Sequence, residues 1–166
     1  MPQVISSNKV PEGSISSKSI ESFNYCDSYR IGIISNDSVD AITTKIFSVP
    51  AWVLFLLNAR NRVVKIFGLQ TGKKINKANY YPVGSKAVMF TVVDRNENEI
   101  VMSEKDKHLD FVVSVMLEKN SPELQVSVTT IVKFNRGMGS FYFMIVKPFH
   151  RLIVKSLVKN LANKKL

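Results

Sequence analysis

His108 and Asp110 are the two side chains best placed for acid–base chemistry. They are two positions apart in a strand-like segment and so share one face, where a carboxylate could orient an imidazole as a general base. The alternation argues against that role. Asp110 has the same parity as Ser114 and Glu118, while the apolar residues have the other parity. We therefore expect both side chains to face solvent, unless a bulge shifts the register.

Arg60 could bind an acidic group. Helical spacing places it beside Leu57 and Val64 rather than with the polar residues of the same segment. A guanidinium group on an apolar flank needs a partner, because its removal from water is costly. We favour an internal carboxylate, Asp106 or Asp110, over an acidic ligand.

Three further side chains could contact a ligand. Thr130 interrupts the inward apolar set of its strand, so its hydroxyl could polarise a ligand, although a bond to a neighbouring backbone group is the simpler role. His150 follows Pro148, which should bend the last helix, and it could cap the freed carbonyl groups or face a cavity. Trp52 could line the mouth of a cavity, although core packing is the default for an aromatic residue.

No phosphate-binding glycine loop, metal-ligand cluster or nucleophile motif occurs in the sequence, so we expect no metal and no cofactor. The single cysteine, Cys26, excludes an internal disulfide and a cysteine-clustered zinc site, which favours a cytoplasmic location. We find neither a secretory signal nor an apolar stretch long enough to span a bilayer.

The net charge of +10 is unevenly distributed along the chain. In the last segment Lys147, Arg151, Lys155 and Lys159 recur every four residues, which places them on one stripe of a helix. Such a stripe could bind an anionic surface. We favour a solvated helix face, and we do not expect a nucleic-acid partner because no nucleic-acid motif accompanies the charge.

With 166 residues, 45% of them hydrophobic, the chain is predicted to have a flexible N-terminal arm (1–22) and a single domain (23–166). The spacing predicts a first strand followed by two short helices, a series of strands and a long final helix. The predicted strands span 27–34, 86–94, 99–103, 109–118 and 124–134. The first predicted helix ends near Phe47, the second spans 50–68 and the last spans 140–161. Short connections make the strands antiparallel neighbours.

These elements predict an α+β fold. A sheet of this size should curl around the long C-terminal helix and bury the apolar stripe of that helix. The two short helices would close one end, which leaves a cavity between the sheet and the last helix.

Four segments, PAWVLFLLNARNRVVKIFGL (50–69), EKDKHLDFVVSV (104–115), VTTIVKFN (128–135) and VKPFHRLIVKSL (146–157), resemble the bacterial DUF2867 family, whose function is uncharacterised. That family is similar in layout to the START/Bet v 1-like (SRPBCC) helix-grip superfamily. The resemblance implies a curved antiparallel sheet of five to seven strands around a C-terminal helix. It also implies an apolar ligand, and in some superfamily members cyclisation or hydrolysis. No catalytic residues can be carried over from the family.

Three functions remain open, and the sequence does not predict the oligomeric state. We favour a module that binds a hydrophobic or amphipathic small molecule, which could be acidic, with Trp52, Arg60, His108, Asp110, Thr130 and His150 as candidate contacts. The first alternative is an enzyme of the same fold, cyclase-like or hydrolase-like, that uses His108 with Asp110 or His150. The second is a binder of anionic surfaces through the basic final helix.

Overall fold

A computed structural model describes residues 3–48, 79–87, 90–105 and 108–163. Within these ranges the chain forms seven β-strands, one short 3-10 helix and two α-helices. The strands are β1 (Ile5–Ser7), β2 (Tyr25–Ile33), β3 (Lys86–Ala87), β4 (Phe90–Arg95), β5 (Glu99–Lys105), β6 (Leu109–Asn120) and β7 (Glu123–Phe134). The 3-10 helix spans Ile15–Lys18, and the α-helices are α1 (Val39–Ile46) and α2 (Gly137–Asn163).

The seven strands form one antiparallel sheet in the order β1-β2-β7-β6-β5-β4-β3. Strands β4 to β7 each pair with the next strand in the chain, whereas β2 pairs with β7 from the other end of the chain. In that pairing Asp27 lies opposite Thr130, and Thr130 lies opposite Val113 on β6. The predicted α+β fold class is therefore confirmed, with the strand count at the upper end of the expected range.

The core lies on the face of the sheet that α1 and α2 cover. Alternate residues of the strands point to this face, as a period of two requires, and they pack against both helices. Examples are Tyr29 on β2, Val115 on β6 and Val128 on β7. From α2, Leu157 and Val158 complete the same apolar cluster. The long final helix thus lies across the sheet, as predicted.

Local signals explain where the helices begin. Ser38 is the N-cap of α1, and its side chain accepts a hydrogen bond from the backbone N–H of Ala41. The start of α2 lies against the start of β6, where Gly139 approaches the backbone carbonyl of His108 so closely that a Cβ atom would overlap with the carbonyl oxygen. Position 139 therefore favours glycine because of this close packing, and not because its backbone adopts a left-handed conformation.

The other face of the sheet is covered by the N-terminal arm, defined as residues 3–22. β1 pairs with β2, and Val10, Ile15 and Ile20 pack against a second apolar cluster. This cluster consists of Cys26, Val101, Val112 and Ile131. The arm that we predicted to be flexible thus carries an edge strand and buries part of the sheet.

A buried carboxylate holds this arm in place. Glu99, which is 1% exposed, accepts hydrogen bonds from the Ser14 hydroxyl (2.6 Å), the Ile15 backbone N–H (2.8 Å) and the Ser114 hydroxyl. Three donors offset the cost of burying the charge. Ser114 was expected to face solvent, and this interpretation is wrong because the arm covers its face of the sheet.

Candidate functional site

Asp27 and His150 lie next to each other on the helix-covered face of the sheet. Asp27 lies on β2 with the inward parity of Tyr29 and Ile31, and it is 2% exposed. His150 projects from α2, with its side chain 12% exposed, and its Nε2 atom is 3.4 Å from Asp27 Oδ1. The fold therefore places an imidazole next to a carboxylate buried under the last helix.

Tyr25 links this pair to the surface. Its hydroxyl donates a hydrogen bond of 2.6 Å to Asp27 Oδ2 and accepts one of 3.1 Å from Arg151 Nε. Burial, and then the hydrogen bond to Asp27, raise the pKa of Tyr25, so the phenol stays protonated and remains a donor. The Lys147 ammonium group and the Arg151 guanidinium group lie 5.1 Å and 5.8 Å from the centre of the tyrosine ring. Two cations thus flank the outer end of the polar cluster.

A row of aromatic rings extends from this cluster across the sheet. Successive ring centroids are 4.6–6.4 Å apart, within the range of favourable ring contacts. The row consists, in spatial order, of Phe47, Phe90, Phe111, His150, Tyr25 and Phe143. The first three phenylalanines are only half-buried. An apolar molecule could therefore contact their rings from the same side of the sheet on which Asp27 and His150 meet.

Thr130 lies in the floor of the site. It is 1% exposed, has the inward parity of β7 and is the direct neighbour of Asp27 across the β2–β7 pair. Its inward orientation is as the sequence predicted. Thr130 is therefore the cross-strand neighbour of Asp27 on the same face of the sheet.

The arrangement is suited to two kinds of chemistry. An imidazole beside a buried carboxylate can accept a proton as a general base, with the carboxylate stabilising the imidazolium. Cations next to an aromatic surface can instead bind an amphipathic acid. In the described part of the chain, no three His, Cys, Asp or Glu side chains are placed to share a metal ion.

His108 and Asp110 lie at the start of β6. Asp110 Oδ1 accepts a hydrogen bond of 3.0 Å from the side-chain amide of Asn135. His108 is 8% exposed, and its backbone carbonyl accepts a hydrogen bond from the Asn135 N–H. The expectation that His108 faces solvent is therefore wrong.

Trp52 and Arg60 lie outside the described residues, as does Asp106, one of the two proposed partners of Arg60. The predicted second helix (50–68) also lies outside them. Of the sequence candidates, the structure brings His150 and Thr130 to one site, on either side of Asp27.

Sequence reasoning missed Tyr25, Asp27 and Arg151 as members of the site. One signal for Asp27 was present, because a carboxylate has the inward parity of the first predicted strand, shared with Tyr29 and Ile31. Asp27 and His150 are 123 positions apart in the sequence, and this distance concealed their contact. Arg151 was assigned only to the solvated basic stripe.

The chain belongs to the family described as "Protein of unknown function (DUF2867)", whose sequence model matches residues 19–157. The resemblance inferred from the four sequence segments is thereby confirmed. Among solved structures, the crystal structure of CalU16 from Micromonospora echinospora is similar, with a TM-score of 0.37 and 10% identity, covering 96% of this chain and 95% of that one. No curated protein matches this chain. Within the described residues, no helix is long and apolar enough to cross a membrane.

Proposed function

We propose that this protein binds a hydrophobic or amphipathic small molecule with an acidic head group between the sheet and α2. The observation that carries the proposal is the row of half-buried aromatic rings that ends at a polar cluster flanked by two cations. Binding sites for such ligands combine an apolar wall with a few polar groups that fix the orientation.

The apolar part of the ligand would lie against Phe47, Phe90 and Phe111. The rings of Phe90 and Phe111 are stacked, with an interplanar angle of 10° and centroids 5.9 Å apart. Both lie at the edge of the main apolar cluster and keep part of their surface accessible. Covering that surface with an alkyl chain or a ring system would be favourable, in proportion to the apolar area removed from water.

The acidic head group would lie beside Arg151 and Lys147. The only hydrogen bond that the described residues provide to the Arg151 side chain is with a neutral acceptor, the Tyr25 hydroxyl. Along α2 the sequence contains no Asp or Glu, so no neighbour on this helix neutralises the two cations. A carboxylate or sulfonate would provide charge-assisted hydrogen bonds there.

Binding of anilinonaphthalene sulfonate, an aromatic anion with environment-sensitive fluorescence, tests this proposal. We expect saturable fluorescence enhancement and displacement by dodecanoate in preference to dodecanol, which has the same chain without the charge. Arg151→Gln should weaken dodecanoate binding about tenfold or more, since a charge-assisted hydrogen bond contributes about 1.5–3 kcal/mol. Lys159→Gln is the matched control, because it removes an equal charge from the same helix two turns further on.

Two results would contradict the proposal. One is probe binding that does not saturate or is insensitive to dodecanoate. The other is an equal loss of dodecanoate affinity in Arg151→Gln and Lys159→Gln, which would show that the net charge of the helix, rather than the site, attracts the anion.

A second candidate function is supported by the contact between His150 and Asp27. In an enzyme of this fold, His150 would act as the general base and the buried carboxylate would fix the orientation of its ring. A suitable probe reaction is hydrolysis of para-nitrophenyl dodecanoate, which has the proposed chain shape. We expect His150→Gln to abolish protein-dependent hydrolysis while dodecanoate still binds, and equal hydrolysis by the parent and the variant would contradict the enzymatic role.

A further inference from the structure

The outer face of α2 exposes an unusual amount of apolar surface. Six large apolar side chains on this helix are between 39% and 63% exposed. They are Met138, Phe141, Met144, Ile145, Phe149 and Leu152. Spacings of three and four residues bring them to one side of the helix. Large exposed apolar patches of this kind commonly mark surfaces that bind another protein, a membrane or a ligand.

The same side of α2 becomes basic in its second half. Lys155 and Lys159 follow Leu152 at the same three- and four-residue spacing, and both are exposed. On the opposite side of the helix Leu157, Val158 and Leu161 are buried against the sheet, so the rotation of α2 is fixed by the core. The outer face of α2 therefore carries an apolar half and a basic half side by side.

We propose that this face docks on the surface of an anionic lipid bilayer. A bilayer surface offers both partners that the face requires, since the acyl-chain boundary accepts half-exposed aromatic and aliphatic side chains and the anionic head groups accept lysine. The helix would lie in the plane of the surface without crossing the bilayer. Phe149 is 52% exposed, whereas the His150 side chain is 12% exposed and lies beside Asp27. Docking through the exposed side chains therefore leaves His150 and Asp27 on the sheet side.

Two other occupants fit the face less well. A second copy of the chain would bring two helices together that contain only basic charged residues, Lys147, Arg151, Lys155 and Lys159, with no acid to compensate them. A nucleic acid would attract the lysines. It would leave the side chains of Phe141, Ile145 and Leu152 in water, because duplex backbones offer no apolar surface to them.

Co-sedimentation with vesicles tests the proposal. We expect the full chain to sediment with vesicles of phosphatidylcholine containing phosphatidylserine, and to bind pure phosphatidylcholine vesicles far less. Replacing Lys155 and Lys159 together by Gln should weaken binding about 25-fold, at about fivefold per basic residue. Replacing Phe141 and Leu152 together by Gln should weaken it about tenfold or more, because the half-exposed side chains then have nothing to insert.

Matched controls separate this face from general effects of charge and apolar surface. Lys105→Gln with Lys119→Gln removes the same charge from exposed positions on the sheet, and Val93→Gln removes an exposed apolar side chain from β4. Both controls should sediment as the parent does. Circular dichroism melts of each variant verify that the fold is retained.

Several outcomes would overturn the proposal. The first is no sedimentation with phosphatidylserine vesicles, and the second is equal losses in the α2 variants and in the controls. A parent dimer, seen by light scattering and lost on replacing Phe141 and Leu152, would assign the face to a second copy. Duplex DNA binding that depends on Lys155 and Lys159 but not on Phe141 would assign it to nucleic acid.

Discussion

Arg95→Ala should destabilise the protein strongly, because Arg95 neutralises a buried carboxylate. Its Nη1 and Nη2 atoms each donate a hydrogen bond of 3.0 Å to one oxygen of Asp40, and the two side chains are 14% and 7% exposed. Nη1 also donates a hydrogen bond to the backbone carbonyl of Tyr81. The pair joins α1 to β4 at the edge of the core. The hydrogen bond to Asp40 raises the pKa of Arg95, so the guanidinium is charged at every pH of interest.

The expected loss of stability in Arg95→Ala follows from the buried Asp40 carboxylate that is left without its cation. Without Arg95, the described residues leave the Asp40 carboxylate with one hydrogen-bond donor, the backbone N–H of Tyr81 at 2.8 Å. Breaking a buried pair by removing one partner costs about 3–5 kcal/mol. For a domain of this size each kcal/mol lowers the melting temperature by about 2–4 °C, so the expected drop is about 6–20 °C.

Arg30→Ala is the matched control for this measurement. Arg30 also forms an ion pair, with a nitrogen–oxygen distance of 2.7 Å to Glu118, but both side chains are 39% exposed. An exposed pair contributes about 1 kcal/mol or less. Urea denaturation and thermal melts of both variants at neutral pH provide the comparison. Equal losses for Arg95→Ala and Arg30→Ala would refute the argument that burial decides the contribution of the pair.

Three further changes have defined outcomes. Gly139→Ala should destabilise the protein by about 1–3 kcal/mol, because the added Cβ meets the carbonyl oxygen of His108, whereas Gly137→Ala meets nothing and should be neutral or stabilising. Burial, and then the charge of a neighbouring carboxylate, raise the pKa of Cys26 from 9.0 to about 11. The contribution of the Cys26 thiol to stability is therefore complete below pH 9 and is lost as the pH rises through about 11. For the same reason the thiol should react slowly with a disulfide reagent in the native protein at pH 8. Glu99→Ala removes the acceptor of three hydrogen bonds and should raise amide exchange across the N-terminal arm.

Each of these three predictions would be contradicted by a specific result. Equal melting temperatures for the Gly139 and Gly137 variants would show that the start of α2 can move away from β6. Rapid thiol labelling of native protein at pH 8 would show that the arm does not shield Cys26. Unchanged exchange in the arm of the Glu99 variant would show that apolar packing alone holds it.

The core of the fold could be predicted because its signals are local. Alternation predicted β5, β6 and β7 with small errors at their ends. One of the turn residues Asn36, Asp37 and Ser38 was expected to cap the first helix, and the structure shows that Ser38 does so. The spacing of apolar residues in the final segment predicted the long helix that crosses the sheet. Each of these signals lies within a dozen residues, which is the range over which a side-chain period is visible.

The covering of the sheet by the N-terminal arm could not be predicted, because it depends on pairing between distant segments. β1 has three residues in a serine-rich segment, and it becomes a strand only by pairing with β2. That pairing and the hydrogen bonds to Glu99 bring the arm onto the sheet. Ser114 is then buried, although it lies on the same side of β6 as the polar residues Asp110 and Glu118. The alternation within β6 could not indicate this burial.

The candidate site was predicted in part for the same reason. His150 and Thr130 stood out as polar residues in apolar patterns. The partner of His150 is on a strand near the other end of the chain, and it enters the site because β2 pairs with β7 beneath α2. Arg151 has the periodicity of the solvated stripe, so only the contact with Tyr25 distinguishes it from Lys155 and Lys159.

The most direct test of ligand binding at this site uses the two histidines of the chain as reporters. His150 lies in the aromatic row next to Asp27, whereas His108 lies at the start of β6 beside Asn135. Proton–nitrogen correlation spectra of the imidazole rings, recorded during a titration with dodecanoate, report on both at once. We expect the signals of His150 to shift to saturation while those of His108 stay in place. A His150 ring that does not respond at dodecanoate concentrations that displace the fluorescent probe would contradict the proposed site.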